Sequence, residues 1–233
     1  MGEYGYVRKN YERLLGEIKE YEKLYDRKIT LVAVTKSGTD EELIALADAG
    51  ATDMGENRPG ELSRRAALLR ENGYTPRFHE IGNLQRNKVK LVINEAALIH
   101  SVGKYELAEE ISRQAVRLGI TVPVLIEINS AKEELKGGVF PEDAEELFLK
   151  VRELDGLSVK GIMTMGPALG NAEAMRPYFR QTKEIFDRIN TRHGFDGEGI
   201  LSMGMSDSYA VAIEEGSTLI RVGRKLFDKN EGR

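Results

Sequence analysis

The stretch Thr30-Leu31-Val32-Ala33-Val34-Thr35-Lys36 combines β-branched and aliphatic residues with a lysine at its end. It is too short for a helix, and its composition is typical of a strand that is buried on both faces. Thr39-Asp40-Glu41-Glu42 follows directly, and a threonine ahead of acidic residues is typical of a helix start. These residues predict a strand, a loop and a helix, with Lys36 in the loop at the carboxyl end of the strand.

Lys36 has two interpretations at this position. Ligands of parallel α/β folds bind at the carboxyl ends of the strands. An amine backed by an apolar strand can lose hydration, which lowers its pKa and favours attack on a carbonyl compound. A lysine here can equally turn to solvent or pair with a carboxylate, and position within a fold does not by itself establish function.

Strand and helix patterns alternate along the rest of the chain, after a predicted N-terminal helix over about residues 3–27. The predicted strands cover 30–35, a run ending in 53–58, 77–81, 97–101, 122–129, 159–165, 199–203 and 217–222. The predicted helices cover 40–49, 59–72, 84–90, 104–118, 141–154, 172–193 and 209–215. This alternation predicts an α/β protein with a single (β/α)8 TIM barrel over residues 1–233. A doubly wound open sheet is the structural alternative, because alternation alone does not close a barrel.

Composition excludes several classes of protein. The formal net charge of the 233 residues is −4, and basic clusters such as Arg64-Arg65 are short, so we expect no nucleic-acid partner. The absence of cysteine excludes disulfide and thiolate chemistry. No signal peptide and no apolar run of membrane-spanning length is present. We therefore expect a cytoplasmic protein, a monomer with no membrane partner.

Polar residues and glycines follow most of the predicted strands. They include Lys36, Gly55-Glu56-Asn57-Arg58, His79-Glu80-Ile81-Gly82-Asn83-Leu84-Gln85, Asn129, Thr164-Met165-Gly166, Ser202-Met203-Gly204-Met205-Ser206 and Arg221-Val222-Gly223-Arg224. In a barrel these strand ends converge on one face, and the loops after strands seven and eight frequently bind phosphate through backbone amides. Ser206 adds a hydroxyl to that region. Glycine-rich strand ends are also common as plain tight turns.

No other catalytic constellation emerges from the sequence. The three histidines, His79, His100 and His193, are scattered along the chain, and His193 is expected to cap a helix at the surface. They form no metal-ligand spacing and no Ser/His/Asp triad, so we expect no metal site. A lysine together with a phosphate cradle remains, and this combination indicates pyridoxal 5′-phosphate (PLP) as the cofactor.

Seven motifs in order, between about residues 4 and 227, resemble those of the PLP homeostasis proteins, which look like the isolated barrel domain of alanine racemase. The motifs are residues 32–36, 55–58 and 79–88, Asn129 with Glu133 and Lys136, and residues 161–166, 201–206 and 216–223. The resemblance implies a fold-type III PLP barrel, with Lys36 carrying the cofactor as an aldimine. It also implies that Asn57 lies beside the pyridine ring and that Arg221 faces the ring nitrogen, with the phosphate held by Ser206, Gly223 and Arg224.

The sequence departs from the family pattern at three places. Pro59-Gly60-Glu61 stands where a glutamine is usual, Ser208 where an aspartate is usual, and Arg224 where a small residue is usual. The first two changes fall at predicted helix starts, where serine and aspartate can both cap. Arg224 can add a charged contact to the phosphate or crowd it.

Three functions are weighed: a carrier that holds PLP and supplies it to apo-enzymes, a PLP-dependent amino-acid racemase or lyase of low activity, and a barrel that binds nothing. The motif match disfavours the third. Two-base racemisation needs a second acid or base, which in alanine racemase comes from a carboxyl-terminal domain of the partner subunit. The sequence ends shortly after the last predicted strand. We therefore expect a role in vitamin B6 homeostasis without robust catalysis, and we assign no catalytic residue.

Overall fold

The computed structural model describes residues 3–167 and 169–230, and all of its paired strands run parallel. The strands are β1 Thr30–Val34, β2 Asp53–Glu56, β3 Arg77–Glu80, β4 Ala96–Val102, β5 Val122–Ile128, β6 Leu157–Thr164, β7 Ile200–Ser202 and β8 Leu219–Val222. Each pairs with the next, and β8 pairs back with β1, Val32 lying opposite Arg221. The predicted barrel is confirmed and the open sheet is excluded. The predicted domain extent of 1–233 includes residues 1–2, 168 and 231–233, which lie outside the described residues.

Helices surround the barrel. They are α1 Gly5–Tyr25, α2 Asp40–Asp48, α3 Pro59–Glu71, α4 Val89–Val92, α5 Tyr105–Leu118, α6 Ala144–Arg152, α7 Arg176–His193, α8 Tyr209–Glu214 and α9 Arg224–Phe227. The predicted start of α2 is confirmed, because Thr39 Oγ1 accepts the Glu42 N–H and the Glu42 carboxylate accepts the Thr39 N–H. Within the described residues, no helix combines the length and apolar character that crossing a membrane requires.

The predicted and observed helices differ most where the helices are short. The helix predicted over 84–90 is a 3-10 turn, Arg86–Lys88, followed by α4, and α7 is likewise preceded by a 3-10 turn, Glu173–Met175. The short helix α9 was not predicted. Elements of three or four residues carry too few positions for an apolar period to show, and helix ends often tighten into 3-10 turns.

The N-terminal helix α1 is attached to the end of the barrel chain. Its buried stripe includes Val7, Tyr11, Leu14 and Ile18, which recur at the three- and four-residue spacing of one helix face. The Asn10 side-chain amide donates to the carbonyl oxygens of Leu226, at 3.3 Å, and Asp228, at 2.9 Å. These bonds satisfy carbonyls at the end of α9.

The described residues form two apolar cores. The larger one lies between the strands and the surrounding helices. The smaller one lies inside the barrel and consists of Val32, Leu98, Leu125, Met163 and Leu219. Because side chains alternate along a strand, residues two positions beyond these also face inward, nearer the carboxyl ends of the strands. Those positions form the floor of the candidate site.

Candidate functional site

Lys36 lies two residues beyond the end of β1, in a turn at the mouth of the barrel, and its side chain is exposed. By the alternation of the strand it continues the inward-facing positions Val32 and Val34. β1 is hydrogen-bonded to β2 on one side and to β8 on the other. The structure therefore places Lys36 between the residues that follow β2, among them Asn57, and those that follow β8, among them Gly223.

A buried arginine holds the Lys36 loop from behind. Arg65 on α3 donates to the carbonyl oxygen of Thr35 and, at 2.8 Å, to that of Gly38. It also forms an ion pair of 2.7 Å with Glu56, which accepts the Thr35 hydroxyl at 2.5 Å. Both charged side chains are almost fully buried, so the pair is shielded from solvent. These contacts fix the backbone on both sides of Lys36, and sequence reasoning did not assign this role to Arg65.

Ser206 and Gly223 come together at the ends of β7 and β8. The Gly223 N–H donates to Ser206 Oγ at 3.3 Å, and both residues are buried. A Cβ on Gly223 would lie 2.9 Å from the carbonyl oxygen of Val34, so only glycine fits beside β1 without a shift. Gly204 has a φ of +94° and no room for a Cβ against Ala212. The predicted pair of Ser206 and Gly223 is therefore a close contact next to the Lys36 strand.

The other predicted residues of the mouth are more exposed. Asn57 is exposed after β2, and its backbone is in close contact with Gly82, where a Cβ would lie 2.2 Å from the Asn57 carbonyl oxygen. Arg224 forms an ion pair with Asp207, and both side chains are exposed. Ser208, a departure from the family pattern, accepts the Met205 N–H at 3.2 Å and so closes the loop before α8.

Arg221 lies inside the barrel and is 4% exposed. Its guanidinium donates to Ser202 Oγ at 2.5 Å and to the Thr164 carbonyl oxygen at 3.0 Å. Burial lowers the pKa of Arg221 to about 10, and the nearby Glu127 carboxylate opposes that shift. Arg221 therefore remains charged at neutral pH. Burial raises the pKa of Glu127 to about 7, against the influence of Arg221.

Two of the histidines are adjacent, so the interpretation of all three as scattered was wrong. His79 Nδ1 lies 2.9 Å from His100 Nε2, His79 Nε2 lies 2.9 Å from Asp53 Oδ1, and His100 Nδ1 lies 3.1 Å from Ser202 Oγ. With Arg221 these residues form a continuous hydrogen-bonded series across the barrel, here called the interior chain. No local motif joins residues this far apart in sequence. One sign of the interior chain was present in the sequence: a polar residue two positions after an apolar residue that faces the barrel interior, such as His100 after Leu98 on β4.

The third histidine lies outside this series. His193 is the last residue of α7, as predicted for a surface cap, and its Nε2 lies 2.9 Å from Glu145 Oε1. Hydrogen bonds from His193 and Arg192, together with Arg188, hold the pKa of Glu145 at about 2 against the effect of burial.

Comparison with known proteins places the chain among relatives over almost its whole length. A family model described as "Alanine racemase, N-terminal domain" matches residues 10–230. A pyridoxal phosphate homeostasis protein of Aquifex aeolicus is 39% identical over 201 residues, which are 86% of this chain and 87% of that protein. A crystal structure of an unknown protein from Bifidobacterium adolescentis superposes with a TM-score of 0.88 at 35% identity, and the match covers 97% of each chain.

A third relative has been solved with a cofactor. The structure of PipY from Synechococcus elongatus PCC7942 with PLP bound superposes with a TM-score of 0.82 at 26% identity, and the match covers 95% of this chain and 100% of PipY. The closed barrel, the order of the sequence motifs and the similarity to these proteins all indicate the same family. The chain belongs to the family of pyridoxal phosphate homeostasis proteins, whose barrel is of the alanine racemase N-terminal type.

Proposed function

We propose that this protein binds PLP at the mouth of the barrel, carries it covalently on Lys36 and supplies it to apo-enzymes as part of vitamin B6 homeostasis. The observation that carries the proposal is the position of Lys36 just beyond β1, between the residues that follow β2 and the Ser206–Gly223 contact after β7 and β8. The names of the relatives and the PLP in PipY support it.

The residues present fit the chemistry of the cofactor. PLP supplies an aldehyde, which condenses with a lysine amine with loss of water, together with a ring nitrogen and a phosphate. Lys36 offers an exposed amine on a backbone that Arg65 holds in place. The Ser206 hydroxyl, which accepts the Gly223 N–H, can donate its own hydrogen to an anion beside a glycine that leaves room for close approach.

The three remaining predicted residues should contribute unequally to PLP binding. Arg221 offers a charged donor from the floor of the site toward the ring nitrogen, and Asn57 borders the ring from the β2 side. Arg224 is paired with Asp207, so a contact with the phosphate requires it to exchange one anion for another. We therefore assign Arg224 the smallest contribution to affinity.

Borohydride reduction tests the attachment site. The purified protein incubated with PLP should absorb visible light, and reduction should fix the label on the peptide that contains Lys36. Lys36→Ala should lose both signals. Lys104→Ala is the matched control, because Lys104 is also exposed and also lies two residues past a barrel strand, β4. Label spread over several lysines, or retained in Lys36→Ala, would refute the assignment.

The phosphate group should supply most of the affinity. Each hydrogen bond to a charged group contributes about 1.5–3 kcal/mol, so pyridoxal, which lacks the phosphate, should bind far more weakly than PLP. Ser206→Ala should weaken PLP binding and leave pyridoxal binding unchanged. Equal affinities for the two vitamers in the wild type would contradict a phosphate site at Ser206 and Gly223.

Supply to apo-enzymes is tested by transfer. The desalted PLP complex of this protein, mixed with the apo-form of a PLP-dependent enzyme, should restore that enzyme's activity as the carrier loses its colour. Lys36→Ala treated with PLP and desalted in the same way should restore none. A carrier that stays coloured beside an inactive apo-enzyme would limit the role to storage.

A further inference from the structure

The interior chain crosses the barrel from β2 to β8 without an exposed member. The residues are 3% (Asp53), 4% (His79), 0% (His100), 0% (Ser202) and 4% (Arg221) exposed. Burying polar groups costs free energy unless each one is hydrogen-bonded. The proposed function uses Arg221 alone, so the other four residues are without a role in it.

The residues at the two ends of the interior chain, Arg221 and Asp53, determine which atoms of the hydrogen-bonded series carry hydrogen. The Arg221 guanidinium can only donate. Burial opposes ionisation of Asp53, yet hydrogen bonds from His79, Arg77 and Thr52 hold its pKa at about 2, so its carboxylate only accepts. Because Arg221 donates to Ser202 Oγ, the Ser202 hydroxyl is free to donate its own hydrogen to Nδ1 of His100.

The hydrogen bonds of the two histidines run in the same direction, from Arg221 toward Asp53. Burial lowers the pKa of His100 well below its usual value, with His79 and Arg221 adding to the effect, so His100 carries one ring hydrogen. With Nδ1 accepting from Ser202, that hydrogen lies on Nε2 and is donated to His79 Nδ1. His79 then donates from Nε2 to Asp53. The opposite tautomer of His100 would require a second proton on His79 and would make Ser202 Oγ accept from two N–H groups.

We propose that Asp53, His79, His100 and Ser202 are positioning residues that hold the Arg221 guanidinium in one direction for the ring nitrogen of PLP. Every hydrogen bond of the series runs from Arg221 toward Asp53, so a lone pair of Ser202 Oγ stays directed at Arg221. Ser202 Oγ and the Thr164 carbonyl oxygen anchor two nitrogens of the guanidinium. The role toward the ring rests on the proposed function, whereas the anchoring of Arg221 does not.

Nitrogen-15 NMR of the cofactor-free protein tests the direction of the series. Imidazoles with hydrogen on Nε2 and on Nδ1 give different pairs of nitrogen shifts, and we expect His79 and His100 both to carry hydrogen on Nε2 at neutral pH. The Nη hydrogens of Arg221 should give separate, slowly exchanging signals because the guanidinium cannot rotate. Hydrogen on Nδ1 of either histidine would overturn the proposal.

Substitutions separate positioning from general packing. Ser202→Ala should average the Arg221 Nη signals. Ser101→Ala is the control and should leave the Arg221 Nη signals separate. Ser101, which follows His100 on β4, is also buried, and its hydroxyl has no hydrogen-bond partner among the described residues. His79→Leu acts at a distance and should give a smaller change in the same direction. The double variant Ser202→Ala/His79→Leu should average the Arg221 Nη signals no more than Ser202→Ala alone does, since effects within one hydrogen-bonded series are not additive. Additive effects would overturn the proposal.

PLP labelled with nitrogen-15 in the ring links the series to the cofactor. Ser202→Ala should bind PLP about tenfold more weakly, with attachment to Lys36 unchanged and the ring-nitrogen signal shifted. An unshifted ring signal and wild-type affinity in Ser202→Ala would overturn the positioning role and leave the proposed function standing. A wild type that takes up no PLP would overturn the proposed function, and the Arg221 signals would still decide whether the series holds the guanidinium.

Discussion

The barrel interior has an apolar end and a polar end, which on three strands lie only two residues apart. Leu98 is followed by His100 on β4, Leu125 by Glu127 on β5 and Leu219 by Arg221 on β8; the three leucines belong to the small interior core. The apolar end gains free energy from burial alone. Burial of the polar end costs free energy, which hydrogen bonds and ion pairs among its groups offset. A change there can therefore alter both stability and function.

The largest expected loss is at Arg65, which holds the Lys36 loop from α3, outside the barrel interior. Arg65→Met leaves Glu56 buried without its ion-pair partner, and loss of one member of a buried pair costs about 3–5 kcal/mol. PLP uptake should fall as well, because the Gly38 carbonyl loses the Arg65 donor and the Thr35 carbonyl keeps, among the described residues, only the Gly38 N–H. The measurements are the free energy of unfolding in denaturant and the PLP affinity of the folded variant.

The neighbouring arginine is a matched control. Arg64 forms ion pairs with Asp40 and Glu61, but it lies 45% exposed on the same helix. Arg64→Met should cost only about 0–1 kcal/mol, as exposed pairs do, and should leave PLP affinity unchanged. Equal losses in the two variants would show that the buried pair does not hold the loop.

The apolar end should behave in the opposite way. Leu125→Ala removes a fully buried side chain from the interior core and should lower the free energy of unfolding by about 2–5 kcal/mol. The folded fraction should bind PLP with wild-type affinity, because no polar partner is lost. Leu118→Ala, at an exposed position on α5, should change neither quantity. A loss of affinity in Leu125→Ala would contradict the separation of the two ends.

Glu80, at the end of β3 and paired in register with Glu56, should make the stability of the protein depend on pH. Burial raises the pKa of Glu80 from 4.5 to about 7, with Glu56 adding to the effect and the Gly82 N–H opposing it. The folded state therefore holds this proton more tightly than the unfolded chain. The associated stability is present below about pH 4.5 and is lost as the pH rises through about 7, with a loss of about 3 kcal/mol.

Glu80→Gln isolates this contribution from that of Glu127, whose pKa is also raised. Denaturant unfolding at several values of pH should show the variant gaining stability relative to the wild type between about pH 4.5 and 8. Parallel curves for the two proteins over that range would mean that Glu80 is not protonated in the folded state.

How much the sequence predicts also differs between the two ends. The apolar runs and their alternation with helices predicted the eight strands and the position of Lys36 just after the first, because these signals are local in sequence. The alternation favoured a closed barrel but also fitted an open sheet, and the resemblance to a barrel family then supported closure. The proximity of the loops that carry Ser206 and Gly223 was predicted, because loops after neighbouring strands meet at one face.

The polar contacts were missed because they join distant strands or depend on helix phase. The interior chain runs from Asp53 to Arg221 and has no short motif. Arg64-Arg65 resembled a small basic cluster, yet Arg65 shares the buried stripe of α3 with Leu62, Ala66 and Leu69. The spacing of that stripe, at three, four and seven residues, was a usable sign that one of the two arginines is buried.

The smallest expected effect is chemical turnover of amino acids. Arg221 stays charged at neutral pH although burial lowers its pKa to about 10. A fixed positive charge beside the ring nitrogen of PLP opposes its protonation, and an unprotonated ring draws electrons weakly from a substrate carbon. We therefore expect no measurable racemisation of alanine and at most slow exchange of its α-hydrogen in deuterated water, followed by NMR at known PLP occupancy. Arg221→Glu should raise that exchange at equal occupancy, because a carboxylate favours protonation of the nitrogen. Turnover by the wild type of about 1 per second or faster would instead favour a racemase, since that is the range of ordinary enzymes.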